Sequence, residues 1–306
     1  MMSEIVSNRS EIVFLYDVKD SNPNGDPLDE NKPRIDEETM LNIVTDVRLK
    51  RTIRDYLHDF RNEEIFILGV KKEDGKIKTK EERMTDLEIN SAEDMTKKCV
   101  DIRLFGATAA VKDKTIIFTG PVQFKIGRSL HKVQLKYIKG TTVSPSAQDK
   151  TQGTFTEMYV LPYSLISFYG VINENAAKET KLTNDDVKLL MDALWNGTKN
   201  LLSRSKVGQI PRLLVKVNYN EKDYHIGDLN ALLKLESNVR EEEIRDIADY
   251  ALDVTCLLET LYANKDKIKD IDLMLDERLT FKQKNSKIDI VKALDDLGLK
   301  INKTSL

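Results

Sequence analysis

The sequence is poor in the residue types that most often betray an enzyme. Its two cysteines, Cys99 and Cys256, lie far apart and form neither a disulfide framework nor a CxxC metal pair. They read as thiols of a reducing compartment. Three histidines, His58, His131 and His225, share no ligand spacing. HExxH, the P-loop, GxSxG and GxGxxG are all absent. Asp17, Asp20 and Asp26 fall close together, but without the regular carboxylate spacing of a metal loop, and they read as loop solvation or helix capping. No metal and no cofactor is expected. No apolar run approaches the roughly 18 residues of a membrane span, and the opening MMSEIVSNRSE has no apolar core of a secretory signal. A cytoplasmic protein without membrane contact is expected.

Acid is also missing, but only locally. The whole chain of 306 residues carries a net charge of -3 and a pI near 5.8, which by itself argues against a nucleic-acid binder. Residues 120–148 nevertheless contain no Asp or Glu, while carrying Lys125, Arg128, Lys132, Lys136 and Lys139. Residues 193–220 repeat the pattern with Lys199, Arg204, Lys206, Arg212 and Lys216. Between positions 241 and 278, by contrast, twelve acids face five bases. A local basic surface attracts a phosphate backbone by Coulomb force and counterion release, whatever the net charge. Any one basic run is equally well a solvated face. Aromatics are few in these windows, with Phe124 and Tyr137 the candidates for stacking.

What is present falls into a recognisable order. Residues 11–18 (EIVFLYDV) predict a buried strand. A long connection follows, opening on DSNPNGDP, dense in turn formers. Residues 45–60 predict a helix capped by Thr45, with Leu49, Ile53, Tyr56, Leu57 and Phe60 on one face. Arg51 and Arg54 point away from that face, and Arg48 and Lys50 flank it. Residues 65–70 are a possible strand, 71–83 a charged excursion, 115–126 a strand bent at Gly120-Pro121. Residues 158–172 predict another strand, 183–202 a second amphipathic helix and 210–219 a last strand. The order β-α-β-β-α-β is that of the ferredoxin-like plan shared by RNA-recognition modules, a plan with many unrelated functions. Between these elements, residues 128–157 alternate apolar and basic residues and then turn soft and polar, predicting a projecting β-ribbon. Residues 221–306 predict a largely helical appendage, with the clearest helix over 241–264.

Five segments resemble, in order, one known family. DSNPNGDP with TDVRLKRTIRDYL, DIRLFGA, GPVQFKIGRSL, LPYSLISFYGVIN and LWNGTKNLLSRSKVGQIPRLL, together spanning residues 10–220, are similar to the backbone subunit of type I CRISPR Cascade complexes, in the branch seen in type I-B systems. The resemblance implies an α+β protein. Its RNA-recognition-motif-like palm would carry a finger-like excursion at about 63–110 and a thumb ribbon at about 128–157. It implies a non-catalytic subunit whose copies assemble head to tail along CRISPR RNA. Other Cascade subunits would join them, and target DNA would be met by way of the guide. The positions it offers as RNA contacts are Asn22, Asn24, Lys50, Arg51, Arg54, Lys125, Arg128, Ser129, Lys132, Lys136, Arg204, Ser205 and Lys206. Two other readings stand beside it. One is an RNA-guided RNA endonuclease using Asp26, and the other a free-standing nucleic-acid-binding regulator.

Overall fold

The computed structural model describes residues 4–111, 114–141 and 155–303. It opens on β1 (Ser10–Ser21). Successive strand side chains point to opposite faces, so Ile12, Phe14, Tyr16 and Val18 enter one apolar cluster while Val13 and Leu15 enter another. Burial on both faces is why this segment reads as an unbroken apolar run rather than as an alternation. The connection after it is ordered by the short pair β2 (Gly25–Asp26) and β3 (Lys32–Pro33) and by β4 (Leu41–Val44). Then comes α1 (Asp46–Arg61), whose N-cap Thr45 accepts from the Arg48 amide as expected.

The stretch after α1 holds α2 (Lys80–Asp86), α3 (Ala92–Lys98), α4 (Val100–Phe105) and the hairpin of β5 (Gly106–Val111) with β6 (Lys114–Thr119). Phe66, Met84, Ile89, Met95, Cys99 and Ile102 give it a small core of its own. The strand expected over residues 65–70 does not form. The amides of Phe66 and Ile67 donate instead to the Asp101 carboxylate at 2.8 and 3.1 Å, so a side chain takes the place of a ladder partner.

Next come β7 (Val122–Phe124), β8 (Gly127–Lys132), β9 (Lys136–Thr141) and β10 (Phe155–Ile172). The first six residues of β10 pair with β9 as a ribbon, and its remainder pairs with β1, β7 and β8. The rest of the expected ribbon, residues 142–154, lies outside the described residues. Glycine is required where the strands cross closely. A Cβ at Gly127 would stand 2.5 Å from the Phe168 ring, and one at Gly170 would stand 2.5 Å from Phe124. After β10 come α5 (Glu174–Thr180) and α6 (Asn184–Asp192). The helix expected over residues 183–202 runs from its N-cap Thr183 to about residue 199, widening on the way into a π-helical turn at Ala193–Gly197. There Gly197 abuts Tyr56 of α1, with no room for a side chain between them.

β11 (Ile210–Tyr219) returns beside β1. Beyond it, the largely helical appendage is not what forms. β12 (Lys234–Ser237), β13 (Tyr250–Asp253), β15 (Phe281–Gln283) and β16 (Ser286–Ile288) build a second sheet. Of the helix expected over 241–264, only α7 (Thr255–Ala263) exists. Its supposed polar face is consumed by turns. Asp246 accepts from the Ala248 amide, Asp249 from the Arg245 amide and Asp253 from the Thr255 amide. Such short carboxylates compete with helical backbone bonding. β14 (Ile268–Leu275) and, after α8 (Ile290–Asp296), β17 (Ile301–Lys303) add to the main sheet. Its order is β17-β14-β11-β1-β10-β8-β4, with β7 and β9 also on β10. One face lies under α1, α4, α6 and the π turn, the other under the C-terminal region. Among the described residues no helix is long and apolar enough to cross a membrane.

Candidate nucleic-acid interface

The connection between β1 and α1 brings most of the candidate positions together. Its start is tied to residues 203–206: the Asn22 amide donates to the Ser205 carbonyl at 2.7 Å, the Ser21 hydroxyl to the same carbonyl at 2.8 Å, and Lys206 Nζ to the Asn22 carbonyl at 3.1 Å. Its middle holds α1 in place, because Asn24 Oδ1 accepts from both the amide and the hydroxyl of Thr45 at 2.9 and 3.0 Å. Its end is β4, which pairs with β8, and Ser129 Oγ accepts from the Asn42 amide at 2.9 Å. The hairpin β2–β3 reaches the ribbon, where the Tyr159 hydroxyl donates to Glu30 at 2.9 Å.

Asn22, Asn24 and Ser129 are therefore structural. The Asn22 side-chain amide donates to the Asn31 carbonyl at 2.6 Å, and Asn22 and Ser129 are both buried. Ser205 serves through its backbone. The cations sort into three kinds. Arg54 is committed inward: its Nε stands 2.9 Å from Asp101, which is fully buried, and its guanidinium lies 5.1 Å from the Phe105 ring centroid. Lys50, Arg51, Lys125 and Arg128 each hold one carboxylate: Asp46, Asp55, Asp228 and Asp36 respectively. Lys132, Lys136 and Arg204 are exposed, and among the described residues none of them pairs with a carboxylate.

A further cation, on the flank of α1, lies outside the positions offered by the family resemblance. Arg48 lies half-buried between α1 and the connection, donating to Thr52 Oγ1 at 3.0 Å, while its buried Nε finds no acceptor. Burial pulls its pKa down, with Asp55 and Tyr16 acting the other way. Lys206 is also half-buried, and burial first, then the nearby charge of Arg48, pulls its pKa below the ordinary lysine value. Two cations thus share a poorly solvated corner, and neither makes an ion pair with a carboxylate among the described residues. Partial burial of like charges is unfavourable unless an anion joins them. A polyanion strand laid along the connection would supply it. The sequence signal for Arg48 was present in TDVRLKR, but helical geometry alone does not say that residues 203–206 fold back onto it.

The two basic windows do not form one surface. Arg212 points into the face covered by the C-terminal region, paired with Asp17 and Asp276, and Lys216 is held by Asp272 at 2.7 Å. Asp26, the one carboxylate considered for cleavage, accepts from the Leu28 amide at 3.0 Å and pairs with Arg34 at 2.8 Å. Among the described residues no group of three or more His, Cys, Asp or Glu side chains is placed to hold a metal ion.

The family model for CRISPR-associated protein Cas7 matches residues 8–255. A relative from Haloferax volcanii, CRISPR-associated protein Cas7, is 36% identical over 89% of this chain and 88% of its own length. The chain belongs to the Cas7 family. Solved structures share the fold of this Cas7 chain at low identity. A chain of a CRISPR RNA-guided surveillance complex in a pre-nicking state superposes with a TM-score of 0.59 at 11% identity, covering 97% of both chains. A chain of a second CRISPR RNA-guided surveillance complex gives 0.54 at 13%, covering 95% of this chain and 99% of that one. In this Cas7 chain the segments that carry the family resemblance are largely scaffold. In DIRLFGA, Asp101 receives Arg54 and two amides, and Arg103 makes a two-pronged pair with Asp186 at 2.7 and 2.9 Å. In LWNG, Trp195 is buried and Gly197 gives α1 its close approach.

Proposed function

We propose that this Cas7 chain is a non-catalytic backbone subunit that binds CRISPR RNA. Several copies line the guide spacer within a Cascade-type complex and present it for pairing with target DNA in antiviral defence. Membership of the family supports this, as does a fold shared with chains of RNA-guided surveillance complexes. The observation that carries it furthest is the half-buried pair Arg48 and Lys206, without a carboxylate partner among the described residues, together with the exposed Lys132, Lys136 and Arg204. These groups recognise phosphate without reading bases, which suits a subunit that must accept any spacer. Both carboxylate oxygens of Asp26 are engaged in holding its hairpin, which favours this reading over target-RNA cleavage.

The order β11–β1–β10–β8, antiparallel throughout, is read here as an RNA-recognition-type palm, with the β9–β10 ribbon as its thumb. Such modules usually stack bases on the open face of the sheet. In this chain the C-terminal region covers that face, so the guide runs over the corner where Arg48 and Lys206 meet and on past Arg204.

An RNA-length titration at several salt concentrations tests the reading. Affinity should rise with RNA length, show little sequence preference and fall steeply with salt. Lys206→Met should weaken binding about tenfold on every sequence, the size of one charge-assisted contact. Equal affinity for short and long RNA, or a defect confined to some sequences, would overturn the proposal.

A further inference from the structure

One leucine is presented to solvent with unusual firmness. Leu28 is 97% exposed at the tip of the β2–β3 hairpin. Single exposed apolar residues are ordinary, but this tip is wired from every side. The Asp29 and Asn31 amides donate to the Asp26 carbonyl at 3.1 and 2.8 Å, and the Lys32 amide to the Asp29 carbonyl at 2.8 Å. Arg34 pairs with the Asp26 carboxylate, and Tyr159 anchors Glu30. The result is a rigid apolar knob among three carboxylates, of which Asp26 holds Arg34 while Asp29 and Glu30 share Lys32 at 2.7 and 3.5 Å.

A hole of opposite character lies elsewhere on the chain. A cavity of about 420 Å³ opens between α1 and the stretch after it. Val47, Phe66 and Leu68 form its apolar part and no carboxylate lines it among the described residues; Arg51, Lys78 and Lys80 stand at its wall, the first two shared with Asp55 and Asp86 and Lys80 without a carboxylate partner among the described residues. Val47 is 67% exposed although it sits on the first turn of a helix with a well-buried opposite face. Lys80 reaches only the Thr108 carbonyl, at 2.9 Å. The space takes a leucine side chain together with one flanking carboxylate.

We propose that Leu28 of one copy docks into the Val47–Leu68 cavity of the next, with Asp29 and Glu30 meeting the basic wall. The proposal rests on the reading that copies line the guide, and supplies the contact between them. Knob and hole share no residue, so the contact is heterologous, and such a contact propagates into an open chain rather than closing as a two-fold pair. Rigid presentation of the knob lowers the entropy lost on docking. The apolar half of the cavity favours a protein knob over RNA, which needs phosphate and stacking contacts instead.

The test uses the full chain, RNA of one-copy length and RNA of many-copy length, with copies counted by mass photometry. Leu28→Asp and Val47→Asp change exposed positions, and circular dichroism with thermal melting checks that each folds. Each variant should bind the short RNA within twofold of wild type and load the long RNA without cooperativity, at least tenfold more weakly. An equimolar mixture should restore pairs but stop at two copies, since only one good knob and one good hole can meet. Cooperative loading by either variant alone would overturn the docking surface while leaving the guide-binding reading intact. Loss of short-RNA binding by Val47→Asp would assign the cavity to RNA and overturn it as well. Wild type loading long RNA without cooperativity would remove the reading beneath it, and the proposal with it.

Discussion

Arg51 and Arg54 stand three residues apart on one helix and look interchangeable as phosphate contacts, yet their surroundings separate them. Arg51 is half exposed and pairs along the helix with Asp55 at 2.6 Å. Exposed pairs of this kind contribute little to stability. Arg54 is paired with Asp101, whose carboxylate has no solvent contact and also holds the turn at Phe66 and Ile67. Removing one member of a buried pair leaves the other charge uncompensated. Arg54→Leu should therefore lower the unfolding free energy by about 3 kcal/mol, and Arg51→Ala by about 0.5 kcal/mol or less. Urea unfolding followed by the fluorescence of the single, buried Trp195 reads both. Equal effects of the two substitutions would contradict this assignment. The same contrast sorts the other candidates. A side chain with its carboxylate already in hand offers RNA less than Arg48 or Lys206, which hold none among the described residues.

At the scale of elements, the ribbon shows how local pattern and tertiary anchoring combine. Alternation of apolar and basic residues made the β9–β10 pairing legible, because a period of two has one interpretation. Its attachment was not legible. Tyr159 donates to Glu30, Lys32 Nζ stands 5.3 Å above the Tyr159 ring, and the Tyr137 and Tyr159 rings lie 4.9 Å apart. The first two contacts join segments more than a hundred residues apart, which no local window reports. Tyr159→Phe keeps the stacked rings and loses the hydroxyl bond. It should cost about 1 kcal/mol or less in global stability, while nicking of the ribbon by a dilute protease speeds severalfold, since local opening is governed by local contacts. An unchanged nicking rate would assign the anchoring to the rings alone. The first strand, the first helix and β11 were readable for the same reason as the ribbon. The helix expected over 241–264 failed because apolar residues at spacings of three and four also fit a turn, the strand β13 and the start of α7, and the acids between them turned out to be caps. The strand expected over 65–70 failed because its hydrogen-bond partner is the side chain of Asp101.

For the whole molecule, the charge asymmetry acquires a second meaning. Acids beyond residue 220 neutralise cations that precede it: Asp228 holds Lys125, Asp272 holds Lys216 and Asp276 shares Arg212 with Asp17. Among the described residues Arg48, Lys132, Lys136, Arg204 and Lys206 stay without a carboxylate, so the acidic region narrows the basic surface as well as covering the sheet. The same region buries Val13, Leu15, Tyr163, Leu165, Leu213, Val215 and Val217. Burying one such side chain contributes about 1.5–3 kcal/mol, so uncovering these positions costs on the order of 10–20 kcal/mol, as much as the entire stability of a typical domain at about 5–15 kcal/mol. It also strips β14 from the edge of β11, leaving a long apolar edge open to pairing with other chains. Residues 1–220, although they contain every family motif, should therefore not fold as a separate palm. The truncated chain should aggregate on expression, and refolded material should bind a hydrophobic dye strongly and lack a cooperative melt. A monodisperse 1–220 fragment with a sharp thermal transition would show instead that the palm is an independent unit and that the C-terminal region only leans on it.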